Sequence, residues 1–139
     1  MSDVGLTHIA LPVKNLESSL AFYFKYGRMQ VVHRRKDSET GTQVVWISDR
    51  TRPFVIVLIE VDHVDSVLLP LAHLGIGCES REEVDRLCEQ ACAEGVLIEG
   101  PLDSGYPVGY FALLSDPDGH TLELAYGQEV GLAVGASER

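Results

Sequence analysis

Four ionisable side chains stand in segments whose other residues are mostly apolar, and they recur in the order His, Glu, His, Glu. They are His8 in THIALPV, Glu60 in FVIVLIEV, His73 in LAHLGIGC and Glu123 in HTLELAY. His8 precedes Glu60 by 52 positions and His73 precedes Glu123 by 50. A buried carboxylate or imidazolium without a partner is costly, so such groups are normally paired or bound to a metal. Two neutral imidazoles and two carboxylates would leave a divalent cation near neutrality. Mixed nitrogen and oxygen donors of this kind suit Ni, Zn, Co, Mn or Fe without singling one out. Glu60 is the most informative of the four, because it interrupts an eight-residue apolar run where an isolated carboxylate has little structural purpose.

The elements that must position these groups read as a repeat. With His8 aligned on His73, HIALPVKN faces HLGIGCES, in each case a strand ending at a polar cap, Asn15 or Ser80. An amphipathic helix follows each cap. Leu16, Leu20, Tyr23 and Phe24 form the apolar stripe of the first, and Val84, Leu87, Cys88, Ala91 and Cys92 that of the second. Ser80 with Glu83 has the spacing of a capping box, and Gly27 and Gly95 are placed to stop the helices. Three strands are then expected in each half, about 30–34, 43–48 and 54–61, and about 97–99, 109–114 and 121–126. The chain reads βαβββ twice, an α+β fold in a single domain spanning 1–139. Its modules cover about 5–62 and 70–127, and 128–139 form a tail. Strand alternation turns Ile9, Leu11 and Val13 toward a helix and His8 away from it. On the same reasoning all four ionisable residues are expected on the faces away from the helices, where a curved sheet is concave.

Composition narrows the function classes. The 139 residues carry a formal charge of −10, which argues against nucleic acid and against an anionic membrane surface as partners. No apolar run approaches the length of a membrane span, and the N-terminal MSDVGLTHI has neither a basic n-region nor an apolar h-region, so the cytoplasm is the expected location. Three cysteines, Cys78, Cys88 and Cys92, do not make a disulfide framework. Cys88 and Cys92 fall on a helical apolar stripe and read as core rather than as a redox or metal pair.

Other conspicuous residues have plainer readings. DPDG at 116–119 reads as a tight turn and the segment 105–110 as a connecting loop, although its glycines would also suit a lid. Trp46 and Phe54 read as core. His33, His63 and His120 lie near turns or strand ends and are expected to be solvated. Arg34, Arg35 and Lys36 form the one basic cluster and are expected on a solvated hairpin.

HIALPVKNLESSLAFY, the second His–strand–helix unit and DPDGHTLEL together resemble the vicinal oxygen chelate superfamily over about residues 5–127. That superfamily includes glyoxalase I, bleomycin-resistance proteins, extradiol dioxygenases and fosfomycin-resistance thiol transferases. The resemblance implies metal ligands on the first and last strands of each module, at His8, Glu60, His73 and Glu123. The four-ligand pattern is similar to glyoxalase I, which implies a metal-dependent lyase or isomerase acting on a hemithioacetal-like substrate. A metal-stabilised enediolate would form, with Glu60 or Glu123 as the catalytic base. Two positions that glyoxalase I uses on glutathione are Pro12 and Val64 here, so the thiol is left open. The rival readings are a three-ligand dioxygenase or thiol transferase using His8, His73 and Glu123, and a metal-free protein that binds bleomycin-type antibiotics. The arginine that fosfomycin-resistance enzymes carry six residues past the last ligand is Glu129 here. Because each half-barrel needs a partner for its inner face, the resemblance also implies a homodimer.

Overall fold

A computed structural model of the chain describes residues 3–136. It contains two compact units, one ending at Val67 and one beginning at Leu68. In the first, β1 (His8–Val13), α1 (Leu16–Gly27), β2 (Gln30–Lys36), β3 (Gln43–Ser48) and β4 (Val55–Glu60) follow one another. In the second the order is β5 (His73–Gly77), α2 (Arg81–Ala93), β6 (Leu97–Asp103), β7 (Tyr110–Ser115), β8 (Thr121–Tyr126) and a short α3 (Val130–Ala136). Each unit is one βαβββ module, and the overall class is α+β as the repeat implies. No described helix is long and apolar enough to cross a membrane. The tail is not all irregular, since α3 occupies most of it; its last three residues lie outside the described ones.

The two sheets share one topology. Strand order is β1-β4-β3-β2 in the first and β5-β8-β7-β6 in the second. The first and last strands of each module run parallel and the other neighbours antiparallel. A parallel pair cannot be joined by a tight hairpin, so the helix and two further strands fill the crossover.

The helices begin where the sequence places their caps. Asn15 Oδ1 accepts from the Ser18 N–H at 3.0 Å, and Ser80 Oγ accepts from the Glu83 N–H at 3.0 Å. Their ends differ. Gly95 has a positive φ of 75° just past α2, but α1 runs through Gly27 and Arg28 takes the left-handed turn with φ 55°.

Each unit buries one sheet face under its helix. In the first, Leu11, Val45, Ile47, Ile56 and Leu58 lie on that face and are at most 4% exposed. Full burial of such a side chain contributes about 1.5–3 kcal/mol. Arg34 shares the face through its register with Val45, and its guanidinium meets Glu17 of α1 at 3.0 Å. In the second, Ala112, Leu114, Leu122 and Leu124 are fully buried, and the Tyr110 hydroxyl on the same face donates to Asp85 of α2. The residues of alternate parity in each sheet point away from the helix.

Candidate functional site

In the first unit, strand register separates two of the expected site residues. His8 pairs with Val55 and Glu60 pairs with Val13, so the two lie at opposite ends of the β1–β4 ladder. Directly paired residues project from the same face of a sheet. Glu60 therefore shares the α1 face with Val13, Leu11 and Leu58, whereas His8 and Ala10 project to the other side. The expectation that all four ionisable residues face away from the helices fails for Glu60. The position of unit 1 that corresponds to Glu123 in the ladder is Val57: Glu123 pairs two residues past His73, with Gly75, and Val57 pairs two residues past His8, with Ala10.

The face that carries His8 is hollow. A cavity of about 500 Å³ is lined by His8, Arg35, Trp46, Arg52, Phe54 and Val57 among others. Trp46 and Phe54 are thus walls of an open cavity rather than core, and Trp46 is 36% exposed. His33 pairs with Trp46 in the ladder and lies against it, ring centroids 4.8 Å apart. The basic cluster lies on the β2–β3 hairpin with all three side chains exposed, and because β2 continues to Lys36, alternation sends Arg34 to the helix face and Arg35 to the cavity. The Thr7 hydroxyl lies 2.9 Å from His8 Nδ1.

In the second unit, register brings two site residues together. His73 Nε2 and Glu123 Oε1 are 3.6 Å apart. His73 Nδ1 is 2.8 Å from the Pro70 carbonyl oxygen. A carbonyl only accepts, so Nδ1 carries the proton and the lone pair of a neutral ring lies on Nε2, the nitrogen turned toward Glu123. The other Glu123 oxygen accepts from Gln128 Nε2 at 3.0 Å. Gln128 also reaches the Val108 carbonyl at 3.4 Å, and the Pro107 carbonyl accepts from the Glu129 N–H at 2.9 Å. These contacts fasten the 104–109 loop to the strand end that carries the carboxylate. Gly75 lies beneath this pair, and a Cβ there would only touch it, 3.7 Å from Glu123 Oε2 and 4.0 Å from Gln128 Oε1. Gln128 was not legible as part of the site; its only sequence signal is its place five residues past Glu123, just beyond the strand.

This donor set suits a metal. An imidazole whose far nitrogen is held by a carbonyl is the usual arrangement for a histidine ligand, and a ligating carboxylate is itself commonly hydrogen-bonded. His73 Nε2 and Glu123 Oε1 would be the donor atoms. Among the described residues no group of three or more His, Cys, Asp or Glu side chains is gathered for an ion, so His73 and Glu123 form a pair rather than a complete set.

Other expected features are resolved by the same geometry. His120 is not solvated: it is 1% exposed, and its Nδ1 accepts from the Leu68 N–H at 3.0 Å. DPDG is a turn organised by Asp116, whose Oδ1 accepts from the N–H groups of Asp118 and His120, each at 2.9 Å. Cys88 is buried and Cys92 exposed. Burial, with a smaller contribution from the Asp85 charge, pushes the Cys88 thiol up to about 11.

Residues 5–124 match the Glyoxalase/Bleomycin resistance protein/Dioxygenase superfamily. The uncharacterized protein PA2024 of Pseudomonas aeruginosa is 37% identical over 129 residues, 91% of each chain. Three solved structures are similar in fold. The fosfomycin-resistance protein FosX of Listeria monocytogenes, solved with Mn(II) and a dihydroxypropylphosphonic acid, has a TM-score of 0.72 at 22% identity and covers 96% of this chain and 99% of its own. The trypanothione-dependent glyoxalase I of Leishmania major has a TM-score of 0.73 at 24% identity, over 96% and 94% of the two chains. An antibiotic-binding protein of Streptomyces, TnmS3, has a TM-score of 0.64 at 20% identity, over 91% of this chain and 98% of its own. With the family match spanning most of its length, the chain belongs to the Glyoxalase/Bleomycin resistance protein/Dioxygenase superfamily.

Proposed function

We propose that the chain is a metal-dependent enzyme in which His73 and Glu123 supply two donors to a divalent cation, Mn, Fe, Co, Ni or Zn, with His8 as the further candidate donor, and which acts on a small oxygenated substrate. The observation that carries this reading is the His73–Glu123 pair, 3.6 Å apart, with the far nitrogen of His73 tied to the Pro70 carbonyl. Two histidines and one carboxylate leave coordination positions open for substrate oxygens. When bound, the cation acts as a Lewis acid on such an oxygen and stabilises the negative charge that develops there.

The three-donor set shifts the balance among reactions. A glyoxalase-type proton shuttle with Glu60 as base would need that carboxylate beside the metal, and its register puts it on the helix face of the first unit. Glu123 is then the one candidate base of the pair, and it would have to serve as ligand as well. Addition of a nucleophile at a carbon next to a metal-bound oxygen makes no such demand, because the cation activates the electrophile. FosX, whose structure holds Mn(II), shares this fold. We therefore place transfer or addition chemistry first and hemithioacetal isomerisation second.

The test is metal content followed by turnover. Purified protein, stripped with chelator and reloaded with each cation, should bind about one ion per chain. His8→Ala, His73→Ala and Glu123→Gln should each lose it while keeping the circular dichroism of the wild type. The loaded protein is then assayed with thiol plus epoxide and with hemithioacetals. No ion bound by any preparation overturns the enzyme reading and leaves a metal-free small-molecule binding protein in its place.

A further inference from the structure

The cavity beside His8 has a sign opposite to that of the protein around it. The chain carries −10 overall. The charged residues lining the cavity, His8 aside, are two arginines, Arg35 and Arg52, and a single carboxylate, Asp3. Alternation along β2 divides the adjacent arginines. Arg34 is spent on Glu17, whereas the Arg35 guanidinium lies 5.8 Å from the centre of the Trp46 ring, on the cavity side. Asp37, the carboxylate whose charge Arg35 feels, is engaged in its own turn. Its Oδ1 accepts from the Glu39 N–H at 2.8 Å and the Thr40 N–H at 3.3 Å. Apart from the hydroxyl residues Thr7 and Ser48, the remaining walls are aromatic or aliphatic: Trp46, Phe54, Val57 and their neighbours.

We propose that this cavity takes a small molecule with an oxyanion head group, carboxylate or phosphate, on an apolar or aromatic body, with Arg35 and Arg52 receiving the head group and Trp46 and Phe54 the body. Guanidinium groups are the donors best matched to oxyanions, through paired N–H groups. A largely apolar hollow with a few convergent polar groups is the usual form of a small-molecule site. The long-range field of the chain repels anions, so recognition depends on these two local cations. The proposal names the substrate class of the metal site proposed above and rests on that reading for what becomes of the ligand. Capture of the ligand does not depend on it.

Trp46 is the one tryptophan of the chain, so its fluorescence reports on this cavity alone. Benzoate, phenyl phosphate and the neutral benzyl alcohol are titrated against metal-free and metal-loaded protein, with excitation restricted to tryptophan. At least one of the two anions should saturate the signal of the metal-free protein at a concentration about tenfold or more below that of benzyl alcohol. Which anion is tighter tells a planar head group from a tetrahedral one. Arg35→Gln and Arg52→Gln should each weaken anion binding by about tenfold, leave benzyl alcohol unchanged and leave the metal-to-chain ratio unchanged. Both arginines are exposed, so folding is not at risk. Equal affinity for benzyl alcohol and the anions, or anion binding unaltered in both variants, overturns the proposal. Anion binding by a protein that takes up no metal would sink the metal reading alone; metal uptake without anion preference would sink this one alone.

Discussion

Glu60 and His8 project from opposite faces of the same parallel ladder, with Glu60 paired to Val13 at its far end. A four-ligand site built on both residues would require one of them to leave its strand. Glu60→Gln is therefore expected to keep the wild-type metal content and affinity, within about a factor of two. Glu123→Gln and His73→Ala should each weaken metal binding by at least about 100-fold, because they remove donors rather than the groups that orient them. Isothermal titration with Mn(II) and Zn(II) on the three variants reads this directly. Equal losses at Glu60 and Glu123 would restore the four-ligand arrangement.

Gln128 holds Glu123 Oε2 from one side while its own position is fixed through the Val108 carbonyl. Removing such a supporting group typically lowers metal affinity by about 10–100-fold. Gln128→Ala should fall in that range with little change in thermal stability, because the residue is exposed. Gln128→Glu removes the amide donor to Glu123 Oε2 as the Ala variant does, but sets another oxygen donor beside the first, so its metal affinity should exceed that of Gln128→Ala. Unchanged affinity in Gln128→Ala would reduce Gln128 to a packing contact.

Much of the fold was legible in the sequence because it depends on local periodicity. The apolar stripes of α1 and α2, their caps at Asn15 and Ser80, and the alternation of β1 are all short-range signals. The face of Glu60 was not, because it is set by pairing across the crossover. The count from His8 to Glu60 passes through four connections whose lengths local periodicity does not fix, and a shift of one residue reverses the side of the sheet. Val57, an unremarkable apolar residue in an apolar strand, stands where the repeat places its carboxylate. The Arg35 side chain was missed for a related reason. Once β2 is known to extend two residues past Arg34, alternation assigns Arg34 and Arg35 to opposite faces, but nothing in the sequence fixes where the strand stops. His120 looked like a turn residue, and its burial depends on the return of the chain at Leu68.

Cys88 offers a test of the core of the second unit by pH. Its thiol is shifted from an ordinary value of 9.0 to about 11, chiefly by burial. A group raised in the folded state binds its proton more tightly there than in the unfolded chain. Its contribution to stability is thus complete below about 9.0 and is lost as pH climbs through about 11. Tyr110, raised mainly by its hydrogen bond to Asp85, acts in the same direction. Urea midpoints should fall across this interval, and Cys88→Ala should flatten the fall without abolishing it, since Tyr110 remains. At pH 8 a thiol reagent should modify the exposed Cys92 and spare Cys88 until the protein is unfolded.

Two glycines close to the second-unit site should respond oppositely to the same substitution. Gly109 has a φ of 85°, and a Cβ there would lie 2.5 Å from the Tyr126 carbonyl oxygen and 2.7 Å from the Gly127 carbonyl carbon. Both the backbone conformation and the close approach of another backbone exclude a side chain. Its N–H also donates to the Gly105 carbonyl at 2.7 Å, and its carbonyl accepts from Ser104 at 2.9 Å, so Gly109 is an anchor of the 104–109 loop rather than a hinge. Gly109→Ala is expected to cost about 3 kcal/mol or more. It should also loosen Val108 and, through Gln128, the orientation of Glu123. Gly75 has ordinary backbone angles, and a Cβ there meets its nearest neighbour, Glu123 Oε2, at 3.7 Å. Gly75→Ala should change stability by less than about 1 kcal/mol, on the favourable side if the unfolded chain loses freedom. Thermal midpoints of the two variants separate these cases. A stable Gly109→Ala protein would mean that the loop and the Tyr126–Gly127 backbone can move apart, and the support assigned to Glu123 through Gln128 would have to come from elsewhere.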